Sequence, residues 1–294
     1  MSEQYINTRH VGRSFGRSAA GYDEHAVLQR EVADRLIGHM DFTKIQLRRV
    51  LDIGCGTGYF TRLLHERFRK AQLCAVDIAA PMALAARAAR PRRMPWHGRS
   101  AFAVADAVSL PFADASFDLV CSNLAMQWVS QPQQMMAEMR RVLAPGGLIL
   151  FSTFGRRTLG ELRQSLADFS HGHAGHVLPF PDVTSLGDAL NKLPLELPVT
   201  DSDLFTLTYA DTMALVRELK GLGASSGAIR NRPGGLYGRR LLRHLNETYA
   251  RQHSDADGRI RATFEVLYAQ AWHADAPHQY DQVIPITLEA GHGV

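Results

Sequence analysis

Three carboxylates and one carboxamide in this sequence are spaced as a nucleoside-binding set would be. Asp52, Asp77, Asp106 and Asn123 each close a short apolar run: Val50-Leu51, Leu73-Cys-Ala-Val76, Ala101-Phe-Ala-Val-Ala105 and Leu119-Val-Cys-Ser122. Gly54, Gly56 and Gly58 follow the first acid at alternate positions in Asp52-Ile-Gly-Cys-Gly-Thr-Gly58. Glycines so spaced let a backbone turn sharply and approach a ligand with no β-carbon in the way, and the first amides of a following helix offer polar contacts. Asp77 lies 19 residues beyond Gly58. An acid that ends a second strand at that distance can accept both hydroxyls of a ribose. Cys55 is the one tempting nucleophile, but no His stands in the motif to activate it, and a small residue valued for its backbone is the favoured reading.

Those residues need a frame that brings them together. The apolar runs read as strands of a parallel sheet, whose carboxyl ends lie side by side, so the four polar residues would line one crevice outside the sheet edge. A helix is expected over residues 22–39, with Leu28, Val32 and Leu36 on one face. Trp128 is read on the helix after the fourth strand. Past a fifth strand at 147–154, the pattern predicts helices at 159–169 and 183–190 and a strand at 203–209. A helix at 213–222, a Gly/Ser/Asn/Pro-rich loop at 223–238, a helix at 239–251 and a last strand at 263–272 complete the chain.

The conjunction is more specific than any one glycine motif. The glycine run, the acid ending strand two, Asp106-Ala107 before Leu110-Pro-Phe112, Ser116-Phe-Asp118 and Arg141-Val-Leu-Ala-Pro-Gly-Gly-Leu148 together resemble class I S-adenosylmethionine-dependent methyltransferases over roughly residues 48–154. That resemblance implies an α/β, Rossmann-like fold with a seven-stranded, mostly parallel sheet. It implies S-adenosylmethionine as cofactor, with Gly54, Gly56 and Gly58 beneath it, Asp77 on the ribose, Asp106 on the adenine amino group and Asn123 near the methionine part. Asp52, Cys55, Ile78, Met82 and Ala107 complete the implied cofactor set.

Six further segments carry a closer resemblance, to the malonyl-acyl-carrier-protein O-methyltransferases of biotin synthesis. They are Ser14-Phe-Gly-Arg-Ser-Ala-Ala-Gly-Tyr-Asp-Glu-His-Ala26, Ser122-Asn-Leu-Ala-Met-Gln-Trp128, Ser152-Thr-Phe-Gly155, Leu186-Gly-Asp-Ala-Leu190, Arg217-Glu-Leu-Lys-Gly-Leu-Gly-Ala224 and Thr263-Phe-Glu-Val-Leu-Tyr268. The family's last two strands are usually joined by a short hairpin, so residues 210–261 read as a helical lid insertion. Residues 1–47 read as an N-terminal helical lid segment, 48–209 as the core, 262–273 as the last core strand and 274–294 as a tail. The piece from Arg87 to Arg99 and the tail match the family least.

The activity so implied is methyl transfer to the free carboxylate of a malonyl thioester, carried on acyl-carrier protein or coenzyme A, to give the methyl ester that primes pimeloyl synthesis for biotin. A malonyl carboxyl has a pKa near the usual ~4, arrives ionised, and needs no general base. Transfer from a sulfonium to an anion shrinks charge, so a dry aromatic pocket is the expected catalytic device. Phe15, Tyr22 and Trp128 are the wall residues, Tyr22 able also to bond the carboxylate, with plain core packing the alternative for Tyr22 and Trp128. Arg17, Lys220 and Arg232 are the cations that could orient the carboxylate, although a solvated charge explains each. Arg239, Arg240 and Arg243 share a helix face and, with Arg156 and Arg157, form the expected docking patch for an acidic carrier.

Bulk properties narrow the field. The 294 residues, 46% apolar, suit one large α/β domain with an appendage or two small domains. The sequence offers no membrane-spanning run and no secretory start, so a cytoplasmic protein is expected. The three cysteines, Cys55, Cys74 and Cys121, suit reduced thiols. A net charge of +4 is spread out rather than clustered, against nucleic-acid binding. Among the 33 cationic residues the lysines are Lys44, Lys70, Lys192 and Lys220. His171, His173 and His176 have metal-like spacing in a glycine loop without a carboxylate or Cys partner, and no metal site is expected. Two rivals stay open: a quinone-type small-molecule methyltransferase and a non-catalytic cofactor-binding sensor or partner subunit. An NAD-dependent dehydrogenase is weaker, since its loop would read G-x-G-x-x-G.

Overall fold

In the computed structural model, residues 6–41, 45, 47–90, 99–169, 180–224 and 236–274 are described. Arg232, the histidines at 171–176, most of the arginine-rich piece and the tail from 275 lie outside them. The chain opens with three helices, α1 (Thr8–Ser18), α2 (Tyr22–His25) and α3 (Val27–Gly38). Then β1 (Arg49–Ile53), α4 (Tyr59–Arg67), β2 (Gln72–Asp77), α5 (Ala80–Ala88), β3 (Ser100–Val104) and β4 (Phe117–Ser122) alternate. A single 3-10 turn, Met126–Trp128, precedes α6 (Pro132–Val142) and β5 (Leu143–Phe154). The rest is α7 (Gly160–Phe169), α8 (Val183–Asn191), β6 (Glu196–Tyr209), α9 (Thr212–Gly221), α10 (Leu236–His253) and β7 (Ile260–Trp272).

The seven strands form one sheet in the order β3-β2-β1-β4-β5-β7-β6. The first five are parallel to one another, and β7 runs antiparallel to both β5 and β6. Strand periodicity splits the core into two layers. Val50, Leu119, Leu148 and Leu150 pack with Leu36, Phe60, Leu64 and Tyr249 on one face, while Leu51, Val120, Ile149 and Phe151 pack with Met135, Met139 and Leu186 on the other. Each such buried aliphatic side chain contributes roughly 1.5–3 kcal/mol. The strand order reverses between β1 and β4, which opens a crevice at their carboxyl ends.

Motif residues outside the crevice hold this frame. Asp118 accepts the amides of Arg48 and Arg49, 2.7 Å each, and so docks the start of β1. Arg141 binds Glu138, Asp114 and the carbonyls of Leu110 and Phe112, which pins the loop after β3.

Several expectations are corrected. The helix expected at 22–39 is two helices that meet at Ala26, and α1 precedes them. Trp128 ends a 3-10 turn rather than a helix. The strand expected from 203 begins at Glu196, because one long antiparallel pairing with β7 runs from Glu196↔Trp272 to Tyr209↔Ile260. Among the described residues no helix is long and apolar enough to cross a membrane, and no cluster of His, Cys, Asp or Glu could hold a metal. Cys55, Cys74 and Cys121 are free thiols.

Candidate functional site

The crevice holds about 750 Å³ of empty space, part of it open to solvent. Its floor is made by strand ends: Ile53, Gly54 and Gly56 after β1, Asp77 and Ile78 at β2, Ala105 to Ala107 after β3, and Asn123 to Ala125 after β4. Backbone bonds from Gly54 and Cys55 to the Val76 carbonyl, 2.8 and 3.0 Å, fasten the glycine loop to β2.

The three loop glycines do different things. A β-carbon on Gly54 would collide with Ala125, so this glycine lets the β4 turn pass underneath. Gly58 abuts Ala86 on α5 and starts α4. Only Gly56, at φ +54°, has nothing within 4 Å of its missing side chain, which leaves its backbone bare toward the crevice.

Asp77 is 8% exposed and its two oxygens accept the amides of Ala79 at 2.8 Å and Gly56 at 2.9 Å. Burial raises its pKa, and the two amide bonds oppose the rise. Asn123 lines the crevice and is oriented by two bonds of its amide. Its Nδ2 donates to the Gln29 carbonyl on α3 at 2.9 Å and its Oδ1 accepts from Ser152 at 2.8 Å. Asp106 accepts the amide of Val108 at 3.2 Å and stands at the far end of the floor.

Over this floor close Thr8, Val11 and Phe15 from α1, Tyr22 from α2, and Trp128 with Val129 after the 3-10 turn. Phe15 stands edge-on to Trp128 with ring centres 5.3 Å apart and lies 6.4 Å from Tyr22, the geometry aromatic pairs prefer. Burial, then the charges of Asp77 and Asp23, raise the Tyr22 phenol far above its usual value, so it stays a neutral donor. Thr57 of the glycine loop donates to Asp23 at 2.5 Å and ties α2 to the floor.

Other expected site residues lie elsewhere. Asp52 is a correction: strand alternation turns it to the α4 face, where it is 1% exposed and accepts from Thr61 at 2.6 Å. Burial pushes its carboxyl up to about 7, with the Thr61 bond opposing and Asp77 adding. Cys55 faces the core layer of Leu28 and Phe60, and burial raises its thiol well above the usual range. Met82 is 1% exposed within α5, and neither it nor Gly58 lines the crevice. Arg17 and Lys220 are exposed and outside the lining. Among the described residues no Lys, Arg or His lines the crevice.

The expected basic patch is divided. Phe169 at the end of α7 packs on His244, whereas Glu161 near its start binds Thr263 and Tyr249 binds the Arg261 carbonyl. The helices α7 and α10 therefore run antiparallel. Exposed Arg240 and Arg243 lie at one end of α7, and Arg156 and Arg157 at the other, about 15 Å away by helical rise. Arg156 is also 3.5 Å from Asp182. Of Arg239, only the backbone is described.

Sequence reasoning missed Thr8 and Val11, since α1 went unread, and it missed Leu124 and Ala125. The only signal for the latter pair was their position after a strand-end Asn. Leu124 takes φ +47°, held by its amide's bonds to the Ser152 carbonyl and hydroxyl. That tight turn swings Ala125 beneath Gly54.

Comparison with known proteins agrees with this arrangement. The family model described as a methyltransferase domain matches residues 51–151. The chain is 43% identical over 292 residues to the malonyl-acyl-carrier-protein O-methyltransferase of Halorhodospira halophila, covering 99% of this chain and 96% of that protein. It is 40% identical over 290 residues to the enzyme of the same name from Xylella fastidiosa, covering 98% and 93%. Among solved structures, the YcgJ protein of Bacillus subtilis superposes with a TM-score of 0.58 at 16% identity, over 83% of this chain and 98% of that one, a likeness of fold alone. With near-full-length identity added to a crevice built at the β1/β4 switch point, the chain belongs to the malonyl-acyl-carrier-protein O-methyltransferase family.

Proposed function

We propose that this protein transfers the methyl group of S-adenosylmethionine to the free carboxylate of a malonyl thioester on an acyl-carrier protein, the step that primes pimeloyl synthesis for biotin. The observation that carries the reading is the aromatic wall of Phe15, Tyr22 and Trp128 over a floor of Asp77 and Gly56. The floor fits the cofactor. The buried Asp77 carboxylate keeps lone pairs beyond those used by Gly56 and Ala79 and can accept ribose hydroxyls. The bare backbone at Gly56 admits the nucleoside closely, Ile78 and Ala107 supply apolar walls, and Asp106 suits the adenine amino group. Asn123 keeps one Nδ2 hydrogen and one Oδ1 lone pair beyond its bonds to Gln29 and Ser152, and these can meet the methionine part.

When bound, the cofactor supplies an electrophilic methyl on a sulfonium, so attack by oxygen is an in-line displacement that loses charge. Phe15, Tyr22 and Trp128 exclude water, which would otherwise stabilise the separated charges, and they fix the approach. The neutral Tyr22 hydroxyl donates to the substrate carboxylate. Among the described residues no cation lines the crevice to blunt the carboxylate, and its anionic form needs no base. A phenolic acceptor would need one, and among the described residues the titratable lining groups are Asp77, Asp106 and Tyr22.

The carrier meets a basic surface in this reading, with Arg240 and Arg243 on α10 the exposed pair at one helix face. Arg240→Glu with Arg243→Glu raises KM for the carrier-bound substrate by roughly 3-fold, more at low salt. Equal kinetics at low salt remove α10 from the docking surface. Mass spectrometry of malonyl-carrier protein after incubation with S-adenosylmethionine tests the function: one added methyl supports it, and an unmodified malonyl group overturns it.

A further inference from the structure

The aromatic wall rests on helices too short to hold themselves. The helix α2 has four residues and no side-chain cap, and a single turn is a helical nucleus that is unstable without outside contacts. Its first residue is Tyr22 and its last is His25. One support comes from the floor, through Thr57 and Asp23. The other comes from the far end of the chain.

There α9 stops at Gly221 and turns back over α1 and α2. A β-carbon on Gly221 would collide with the His25 imidazole, so the ring occupies the room that the glycine leaves. Gly223, at φ +75°, would put a β-carbon 3.3 Å from both N and Cα of Phe15. Between these contacts the Ser14 hydroxyl, 4% exposed, donates to the Gly223 carbonyl at 3.1 Å. The amides of Leu222 and Gly223 close the turn on the carbonyls of Glu218 and Lys220, 2.9 Å each. Two absent β-carbons and one buried hydrogen bond thus meet at the neighbours of Phe15 and Tyr22.

We propose that the Gly221-Leu222-Gly223 turn, together with Ser14 and His25, is a positioning clasp that sets the aromatic wall, so that Phe15 and Tyr22 stand over the crevice only while α9 is docked. These are positioning residues: none lines the crevice, and each acts through a side chain that does. The kinetic arm of the test rests on the methyl-transfer reading; the spectroscopic arm does not.

Full-length protein carrying Trp96→Phe and Trp272→Phe leaves Trp128, the edge partner of Phe15, as the sole tryptophan. In that parent, Phe15→Ala calibrates the signal of a displaced wall. Gly221→Ala, Gly223→Ala and Ser14→Ala are expected to raise acrylamide quenching of Trp128 toward that level. They should also cut kcat on malonyl-carrier protein by ~10-fold or more, with S-adenosylhomocysteine affinity held within ~2-fold, as misplacement of a wall without damage to the floor requires. Quenching and kcat at parental values in these folded variants overturn the clasp. So does a fall in S-adenosylhomocysteine affinity that matches the fall in kcat, which marks general loosening. Should the glycine variants fail to fold, Ser14→Ala decides by the same criteria. Unsubstituted protein without methyl transfer refutes the proposed function while the Trp128 signal still judges the clasp.

Discussion

The floor of the crevice comes from the ends of adjacent strands joined by backbone hydrogen bonds, whereas its roof joins residues as far apart as Ser14 and Gly223, 209 positions along the chain. On the floor, Asp77 is aimed by the strand beneath it and by the amides of Gly56 and Ala79. On the roof, Tyr22 is aimed by a four-residue helix that borrows its support from Thr57 and from α9. The lesson is a division of labour: a sheet edge holds the part of a site that must not change, and short helices with few contacts hold the part that must exclude water.

That contrast can be broken by substitutions that damage the wrong half. Asp77→Ala should weaken S-adenosylhomocysteine binding by ~100-fold, about 2.7 kcal/mol, because it removes charge-assisted hydrogen bonds from a buried site. Titration calorimetry with undiminished affinity would sink the floor assignment. Gly54→Ala comes next, with an expected stability loss of about 2–3 kcal/mol in urea unfolding, since the new methyl strikes Ala125 at a positive φ. Tyr22→Phe should lower kcat by ~10-fold and leave S-adenosylhomocysteine affinity as it was, the reverse of the Asp77 outcome. Loss of affinity in Tyr22→Phe would erase the distinction between floor and roof.

The smallest effect concerns Asp52. Its folded carboxyl titrates near 7, above the usual ~4 of an unfolded chain. The native state therefore keeps a proton that the unfolded state has released, and this favourable contribution is complete below ~4 and lost as pH rises through about 7. Asp52→Asn abolishes that loss. Its stability relative to the parent should grow by on the order of 1 kcal/mol between pH 5 and pH 6, read from urea midpoints. A difference independent of pH would mean that Asp52 is ionised throughout.

Much of the floor was legible because short-range rules govern it. Apolar runs that end in an acid mark strand ends, and β2 begins and ends where Gln72 and Asp77 predict. Asp52 misled because a strand-end residue and one facing a helix differ by a single step of alternation, and only the position of the strand's last residue tells them apart. The glycine run was legible as a turn, but which glycine meets ligand depends on Ala125 and Ala86, neighbours contributed by other strands and helices. The roof was harder. Two glycines, Gly12 and Gly16, interrupt the helical pattern of α1, and no Pro or Gly marks the break at Ala26. The arginine patch failed for a related reason: a shared helix face is a local property, while the distance from α10 to the turn at 156–157 depends on how α7 lies between them.

By itself the sequence determined the alternating strand-helix order, the carboxyl-end acids, the sharp turn after β1 and the family. Each of these follows from periodicity or backbone freedom within a few residues. The tertiary structure alone decided that Asp52 turns inward, that Gly56 is the bare position, that no cation among the described residues lines the crevice, and that Gly221 and Gly223 lean on His25 and Phe15. Such facts depend on which surfaces meet once the sheet has closed, and excluded volume between residues hundreds of positions apart leaves no local trace.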